Sequence, residues 1–408
     1  VVLETPPSRS GLLPDLREAL DRRTVTAGAV AALFATTGPL ALLLTVARES
    51  GLSADETVGW IAAGYGFGGV LSILASALYR QPIGLAWSIP GTAMLLAALD
   101  HLSFAEAVGA YLVCGLVMVF LGLSGLIGRL TALVPLPVVM GMVAGVFLPF
   151  CLTLVSGFID VPVVAGATIG AFLVVSAVPA LTQRIPPVLA ALLVGAAAVA
   201  VTGGMADIEL RSDWISMPSV HRPEFTLAAM AELVPPLLVS VIAIQNLQGF
   251  VILTRAGHAP PVNALTAACG YGTLAMGAFG SVPTCVTGPV NGILVTTHPA
   301  GHRWAGGIVF GVLIGLFGLF APLTTAVASG LPQAFIGVLG GLAMLPVLSG
   351  AFSGAFSGRA LLGPVTAFIV TISDVVLLNI GAPFWGLVFG ILVWLLLERP
   401  RPVAGDDA

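Results

Sequence analysis

The chain has 408 residues, of which 58% are hydrophobic and only 8% charged, with 50 glycines and no lysine. Soluble domains carry roughly a quarter charged residues, so this composition excludes a soluble enzyme or a nucleic-acid-binding protein and points to a polytopic membrane protein with the lipid bilayer as its solvent. The formal charge of -4 says little about partners, because topology sorts charges between two aqueous faces.

In chain order, residues 1–24 are polar and show no cleavable signal peptide. Leu12, Leu13, Leu16 and Leu20 set against Asp15, Arg17, Glu18 and Asp21 predict an amphipathic helix at the cytoplasmic interface. Spanning segments of about 20 apolar residues are then expected at 25–46, 57–79, 83–99, 104–124, 136–156, 161–181, 185–203, 227–254, 263–279, 281–299, 305–328, 333–352, 360–380 and 383–397, fourteen in all.

In the first span, Thr36-Thr37-Gly38-Pro39 interrupts an apolar run just after Phe34. Its hydroxyls either face a site or bond back to their own helix. The second span is rich in glycine around Tyr65 (Gly64, Gly66, Gly68, Gly69), which predicts close helix packing.

The third and tenth spans, Ile83 to Leu99 and Ser281 to Thr297, break in the same way: a short extended run, then a half-length helix opened by Pro90-Gly91 or Gly288-Pro289. Paired broken segments are the sequence mark of a transporter binding site, and two half-helix N-termini offer unpaired N–H groups and positive dipole ends to an anion. Expected donors are Ser88, Thr92 and the N–H groups of Gly91 and Thr92 at one end, and Thr287, the N–H groups of Val290 and Asn291 and the Asn291 amide at the other. Gly91 and Gly288 would let a carboxylate approach the backbone. Ordinary proline kinks are the competing explanation.

The eighth span places Ser240, Gln245, Asn246 and Gln248 in an otherwise apolar run, with Gln245 and Gln248 on one face of a regular helix and Asn246 about 100° away. Cavity lining and interhelical hydrogen bonding both explain such a cluster. Phe34, Trp87, Phe250 and Phe279 are candidates for an aromatic wall. The longest polar interruption, Gly203 to Thr226, divides the chain into halves of seven spans, which an odd count makes inverted. With the N-terminus cytoplasmic, only Arg48, Arg211 and Arg222 of the 15 arginines fall outside, as the positive-inside rule requires.

Three runs, QNLQGFVIL (Gln245 to Leu253), GSVPTCVTGPVNGIL (Gly280 to Leu294) and APFWGLVFG (Ala382 to Gly390), resemble the benzoate/proton symporter (BenE) family. The resemblance spans essentially the whole chain and implies the fold of nucleobase permeases and sulfate-type anion transporters. In that fold spans 1–4 and 8–11 form a core domain and the rest a gate domain, often dimerised through the gate. The corresponding division here is a cytoplasmic segment 1–24, a first inverted repeat 25–204, a periplasmic loop 205–226, a second repeat 227–399 and a cytoplasmic tail 400–408. The implied activity is uptake of benzoate or a related aromatic carboxylate with protons across a bacterial inner membrane, with a possible homodimer and no cofactor.

Proton coupling has no acid near the proposed site in the eighth or tenth span to rest on. Asp374 is the one carboxylate deep in a span and the candidate proton-coupling group, with a structural pairing as the competing reading. Asp100 and His101 follow the first half-helix, and Glu106 and Glu232 sit near span ends. The four cysteines (114, 151, 269, 285) read as packing residues, and the five histidines lack a second ligand at helical spacing, so no metal site is expected. No Walker motif or nucleophile elbow is present, which leaves a secondary transporter. A nucleobase or inorganic-anion carrier on the same fold and an anion channel are the alternatives.

Overall fold

Helix starts follow local capping chemistry. Asp21 accepts the Thr24 N–H at 2.8 Å, Ser53 the Glu56 N–H at 3.2 Å and Ser103 the Glu106 N–H at 3.2 Å, each in a reciprocal box that fixes where a long apolar helix begins. The computed structural model describes residues 3–7, 11–127, 135–182, 185–205, 214–215, 219–296, 300–358, 361–373, 375, 377 and 382–398. Asp374 lies outside the described residues.

Among the described residues, seven helices are long and apolar enough to cross a membrane: Arg22–Glu49, Ala54–Tyr79, Phe104–Ser124, Leu136–Asp160, Leu227–Arg255, Ala300–Leu319 and Gln333–Phe356. Shorter apolar helices occupy Ile89–Ala98, Pro162–Ala177, Pro187–Val201, Leu362–Ile372 and Ala382–Glu398, and a further helix runs Val262–Gly277. The expected 305–328 span is not continuous. Its helix stops at Leu319 and a second, Ala321–Ser329, begins with Pro322 in its first turn, where a ring without an N–H cannot continue the preceding ladder. The eighth span is not a uniform α-helix either. Pro235 and Pro236 withhold two donors, and the chain then runs as a wider π-helix over Ser240–Asn246 before Leu247–Arg255 resumes α geometry.

The main packed pairs are Leu136–Asp160 with Gln333–Phe356, Ala54–Tyr79 with Arg303–Leu319, and Phe104–Ser124 with Val262–Gly277. Glycine permits the second of these: a Cβ on Gly311 would meet the Gly69 carbonyl at 2.6 Å, so the two backbones touch directly.

At the centre lies a two-stranded antiparallel ribbon, β1 (Leu85–Trp87) with β2 (Thr284–Val286), in register Leu85 to Val286, Ala86 to Cys285 and Trp87 to Thr284. Bonds from Ser88 N–H to the Pro283 carbonyl (2.9 Å) and from Thr287 N–H to the Gly84 carbonyl (3.1 Å) extend it at both ends. Such a ribbon is all edge, and away from water every bare N–H costs several kcal/mol. Four side chains accept from its N–H groups. Ser72 Oγ accepts Leu85 N–H (2.8 Å), Thr273 Oγ1 accepts Thr284 N–H (2.9 Å), Asn246 Oδ1 accepts Val286 N–H (2.7 Å) and Asn291 Oδ1 accepts Gly84 N–H (2.7 Å).

The N-terminal helix, Leu12–Ala19, does not stand apart: Ala19 and Leu16 pack on Trp304 and Ala305, and Asp15 pairs with Arg80 at 2.9 Å. Before it, the Glu4 carboxylate accepts the N–H groups of Asn263 and Ala264 at 3.0 Å each, capping the Val262–Gly277 helix.

Candidate functional site

Each strand of the ribbon runs straight into a half-helix, Ile89–Ala98 after β1 and Gly288–Leu294 after β2, with Pro90 and Pro289 in the first turns. Antiparallel pairing therefore brings the two N-termini to opposite ends of one ribbon. Ser88 lies opposite Pro283 and Thr287 opposite Gly84, so at about 3.3 Å per residue the ends stand roughly 13 Å apart along it.

The two ends differ in what they leave open. At the first, Ser88 Oγ accepts Gly91 N–H at 3.0 Å, while the Ser88 carbonyl takes both Thr92 N–H (2.9 Å) and Thr92 Oγ1 (3.1 Å). The donors expected of Gly91 and Thr92 are thus already engaged by the cap. Leu237 closes the approach to the backbone, since a Cβ on Gly91 would meet its Cδ2 at 2.9 Å. At the second end Thr287 makes no cap. Its Oγ1 is buried with no hydrogen-bond partner among the described residues, as is Gln245 Oε1. Thr287 is 5% and Gln245 8% exposed.

The remaining amides divide by role. Asn246 serves the ribbon edge through Oδ1, beside the Cys269 thiol. Asn291 is a staple: its N–H bonds the Thr287 carbonyl (3.0 Å) and its side chain engages both Gly84 N–H and Gly84 carbonyl. Gln248 is exposed, and its side chain lies over Gly288, filling the space where a Cβ would stand. Val290 packs its side chain on Gly84. The segment winds as a π-helix up to Asn246; Gln245 and Asn246 are buried, whereas Gln248, in the α-helix that follows, is exposed and reaches the start of the second half-helix at Gly288.

Thr36 and Thr37 bond back to the Ala32 and Leu33 carbonyls at 2.8 Å and line a mostly apolar cavity of about 330 Å³ with Phe317, Leu192 and Thr324. Phe34 is partly buried against the main core, and Phe279 stacks on Phe67 with centroids 5.5 Å apart. Two further crevices lie at the C-terminal ends of the half-helices. One of about 430 Å³ joins Ala93 and Met94 to Glu49, Asp100, Val146 and Phe150; the other, about 620 Å³, joins Ile293 and Thr296 to Arg22 and Arg23.

Sequence reasoning missed three features. Tyr65, read as a packing residue, donates its hydroxyl to the Ala35 carbonyl at 2.7 Å, and its ring stands edge-on to Trp87 (5.8 Å) and Phe317 (5.0 Å). The signal was available: Pro39 lacks the N–H that would serve the carbonyl four residues back, and a buried tyrosine needs a partner. Leu237 carries no sequence mark at all. The third is a contact between His101 Nε2 and Glu232 Oε2 at 2.9 Å, which ties the turn after the first half-helix to the start of the eighth span. His258, in a loop outside the spans, is held below the usual imidazole value by burial and by the neighbouring Arg303. The four cysteines are buried thiols, and no cluster of potential metal ligands occurs among the described residues.

Paired broken helices on a buried ribbon, wrapped by long apolar helices, define a membrane transporter. The profile of the benzoate membrane transport protein family (BenE) matches residues 19–396, and the chain belongs to that family, one of membrane transporters and not of enzymes. It is 29% identical over 379 residues to the inner membrane protein YdcO of Escherichia coli K12, covering 92% of this chain and 96% of that one. It is 27% identical over 398 residues to the benzoate membrane transport protein of Acinetobacter baylyi, covering 96% and 99%. Among solved structures, the transmembrane domain of the cyanobacterial bicarbonate transporter BicA superposes with a TM-score of 0.63 at 16% identity, over 96% of this chain and 100% of that one. SLC26A9 gives 0.60 at 13% identity, over 94% and 65%. At these identities the likeness establishes the fold.

Proposed function

We propose that the chain takes up benzoate or a closely related aromatic carboxylate by proton symport with alternating access, across a bacterial inner membrane with both termini cytoplasmic. The observation that carries the substrate reading is the buried hydroxyl of Thr287 at the start of the second half-helix, without a partner among the described residues, as is Gln245 Oε1 on the span whose Asn246 bonds the adjoining strand. A threonine hydroxyl donates to a carboxylate directly, and a glutamine amide does so after rotating its nitrogen into place. The second half-helix adds the positive end of its dipole. The name of the Acinetobacter relative supports the aromatic acid over the inorganic anion of the BicA-like fold.

The architecture we propose is fourteen spans in two inverted halves, 25–204 and 227–399, with core and gate domains. Recurring packing supports it: Ala54–Tyr79 on Arg303–Leu319 matches Phe104–Ser124 on Val262–Gly277, as second-on-eleventh matches fourth-on-ninth in an inverted repeat. For the proton, the described candidate is the His101–Glu232 pair, a carboxylate buried in a spanning helix and hydrogen-bonded to a titratable ring.

Calorimetric binding of benzoate to detergent-purified protein, with uracil and sulfate as comparators, tests the reading. Saturable benzoate binding that Gln245→Leu or Thr287→Val weakens by roughly 10–150-fold is expected, the worth of one hydrogen bond to a charged group. Binding of sulfate or uracil without benzoate would keep the fold and discard the substrate.

A further inference from the structure

We infer that the two half-helix ends are chemically unequal, so that the site takes a monocarboxylate with one apolar body, its head at Thr287 and Gln245 and its body directed towards Gly91, where Leu237 sets the bulk it can carry. This rests on the carrier reading above and deepens it. A pair of half-helix ends with open donors would suit sulfate, bicarbonate or a dicarboxylate as well as a ring acid. The donors are not distributed that way.

At the first end the cap consumes what the sequence offers: Ser88 Oγ on Gly91 N–H, and the Ser88 carbonyl on Thr92 N–H and Thr92 Oγ1. Hydrocarbon covers the rest, because Leu237, itself fully buried, occupies the space beside the Gly91 Cα. A second negative charge placed beside Gly91 would lose water and meet N–H groups of Gly91 and Thr92 that the cap already engages. At the other end Thr287 Oγ1 lacks a partner among the described residues, and so do Gln245 Oε1 and Asn246 Nδ2 on the span that bonds the adjoining strand through Asn246, all three residues being more than nine-tenths buried. Leu237 and Gln245 lie on one continuous span, about two turns apart, so a single element sets both the polar and the apolar limit of the site. Leu237 is therefore a specificity-determining residue, since trimming or enlarging a side chain against a ligand body discriminates by one or a few methylene groups.

The test is calorimetric displacement with benzoate, para-tert-butylbenzoate, terephthalate and sulfate, on the wild type and on Leu237→Ala, Leu237→Val and Thr287→Val, each first shown to be monodisperse. On the wild type, terephthalate and sulfate should bind at least about tenfold more weakly than benzoate. Leu237→Ala should improve para-tert-butylbenzoate relative to benzoate by about tenfold, with Leu237→Val in between. Thr287→Val should weaken both ring acids and leave their ratio unchanged. Terephthalate binding as tightly as benzoate, or an unchanged ratio in both Leu237 variants, would overturn the inference while leaving the benzoate reading intact. A wild type that binds no benzoate would overturn both.

Discussion

Tyr65→Phe removes one hydroxyl and keeps the ring, which makes the proline-induced gap in the first span measurable. Pro39 deprives the Ala35 carbonyl of its helical donor, and Tyr65 Oη supplies a replacement at 2.7 Å from the neighbouring helix. Tyr65 is wholly buried, so its loss leaves a bare carbonyl away from water, worth about 1–3 kcal/mol. The ring contacts to Trp87 and Phe317, at 5.8 and 5.0 Å, survive the change and do not contribute. Pro39→Ala restores an N–H that can reach the same carbonyl. Alone it should gain little hydrogen-bond energy, since the carbonyl already has a partner; in the Tyr65→Phe background it should recover most of the loss. The expected coupling in a double-mutant cycle is about 1–2 kcal/mol. Equilibrium unfolding in mixed micelles, with the four proteins in one detergent, gives the numbers. Additivity within about 0.5 kcal/mol would show that the carbonyl is served by something else and that Tyr65 only packs.

Other consequences are as direct. Ser72→Ala and Thr273→Val each strip an acceptor from the ribbon and should cost about 1–3 kcal/mol apiece in the same unfolding assay. Both should also weaken benzoate binding although neither residue belongs to the site; stability unchanged in both would mean the ribbon edges are satisfied otherwise. Glu232→Gln preserves a hydrogen bond to His101 but removes the carboxylate that could exchange a proton, so benzoate counterflow in proteoliposomes should persist while benzoate accumulation driven by an imposed proton gradient is lost. Wild-type accumulation in that variant would clear Glu232 of any coupling role. Glu4→Gln removes a charge from the N-terminus of the Val262–Gly277 helix and should cost about 0.3–1 kcal/mol, visible as faster amide exchange at Asn263 and Ala264.

Pattern made the scaffold legible. Apolar runs located the long helices, and the matched Pro90-Gly91 and Gly288-Pro289 breaks located both half-helices to within a residue or two. Roles inside the site were less accessible, for identifiable reasons. Asn246 and Asn291 look like ligand-binding amides in a linear sequence, yet a ribbon far from water needs acceptors for its outward N–H groups, and those needs appear only once the strands are paired. The π-helix over Ser240–Asn246 changes the angle per residue leading into Gln245, which a wheel drawn on the sequence does not carry. Ser88 and Thr287 occupy equivalent places in the two motifs and differ in state, one engaged as a cap and one not, a distinction that side-chain type alone does not carry.

The ribbon also bears on how the protein is made. Its strands pair Leu85 with Val286, about 200 residues apart, so while the ribosome is still delivering the chain, the first broken segment waits in the translocon or membrane with its strand unpaired. Contacts of such long sequence separation are slow to form and expose their segments in the meantime. The first half therefore cannot reach its final fold by itself, and a chain truncated before Thr284 should be recognised as unfinished by membrane quality control and degraded. Closing the ribbon is the step that commits both halves to one molecule.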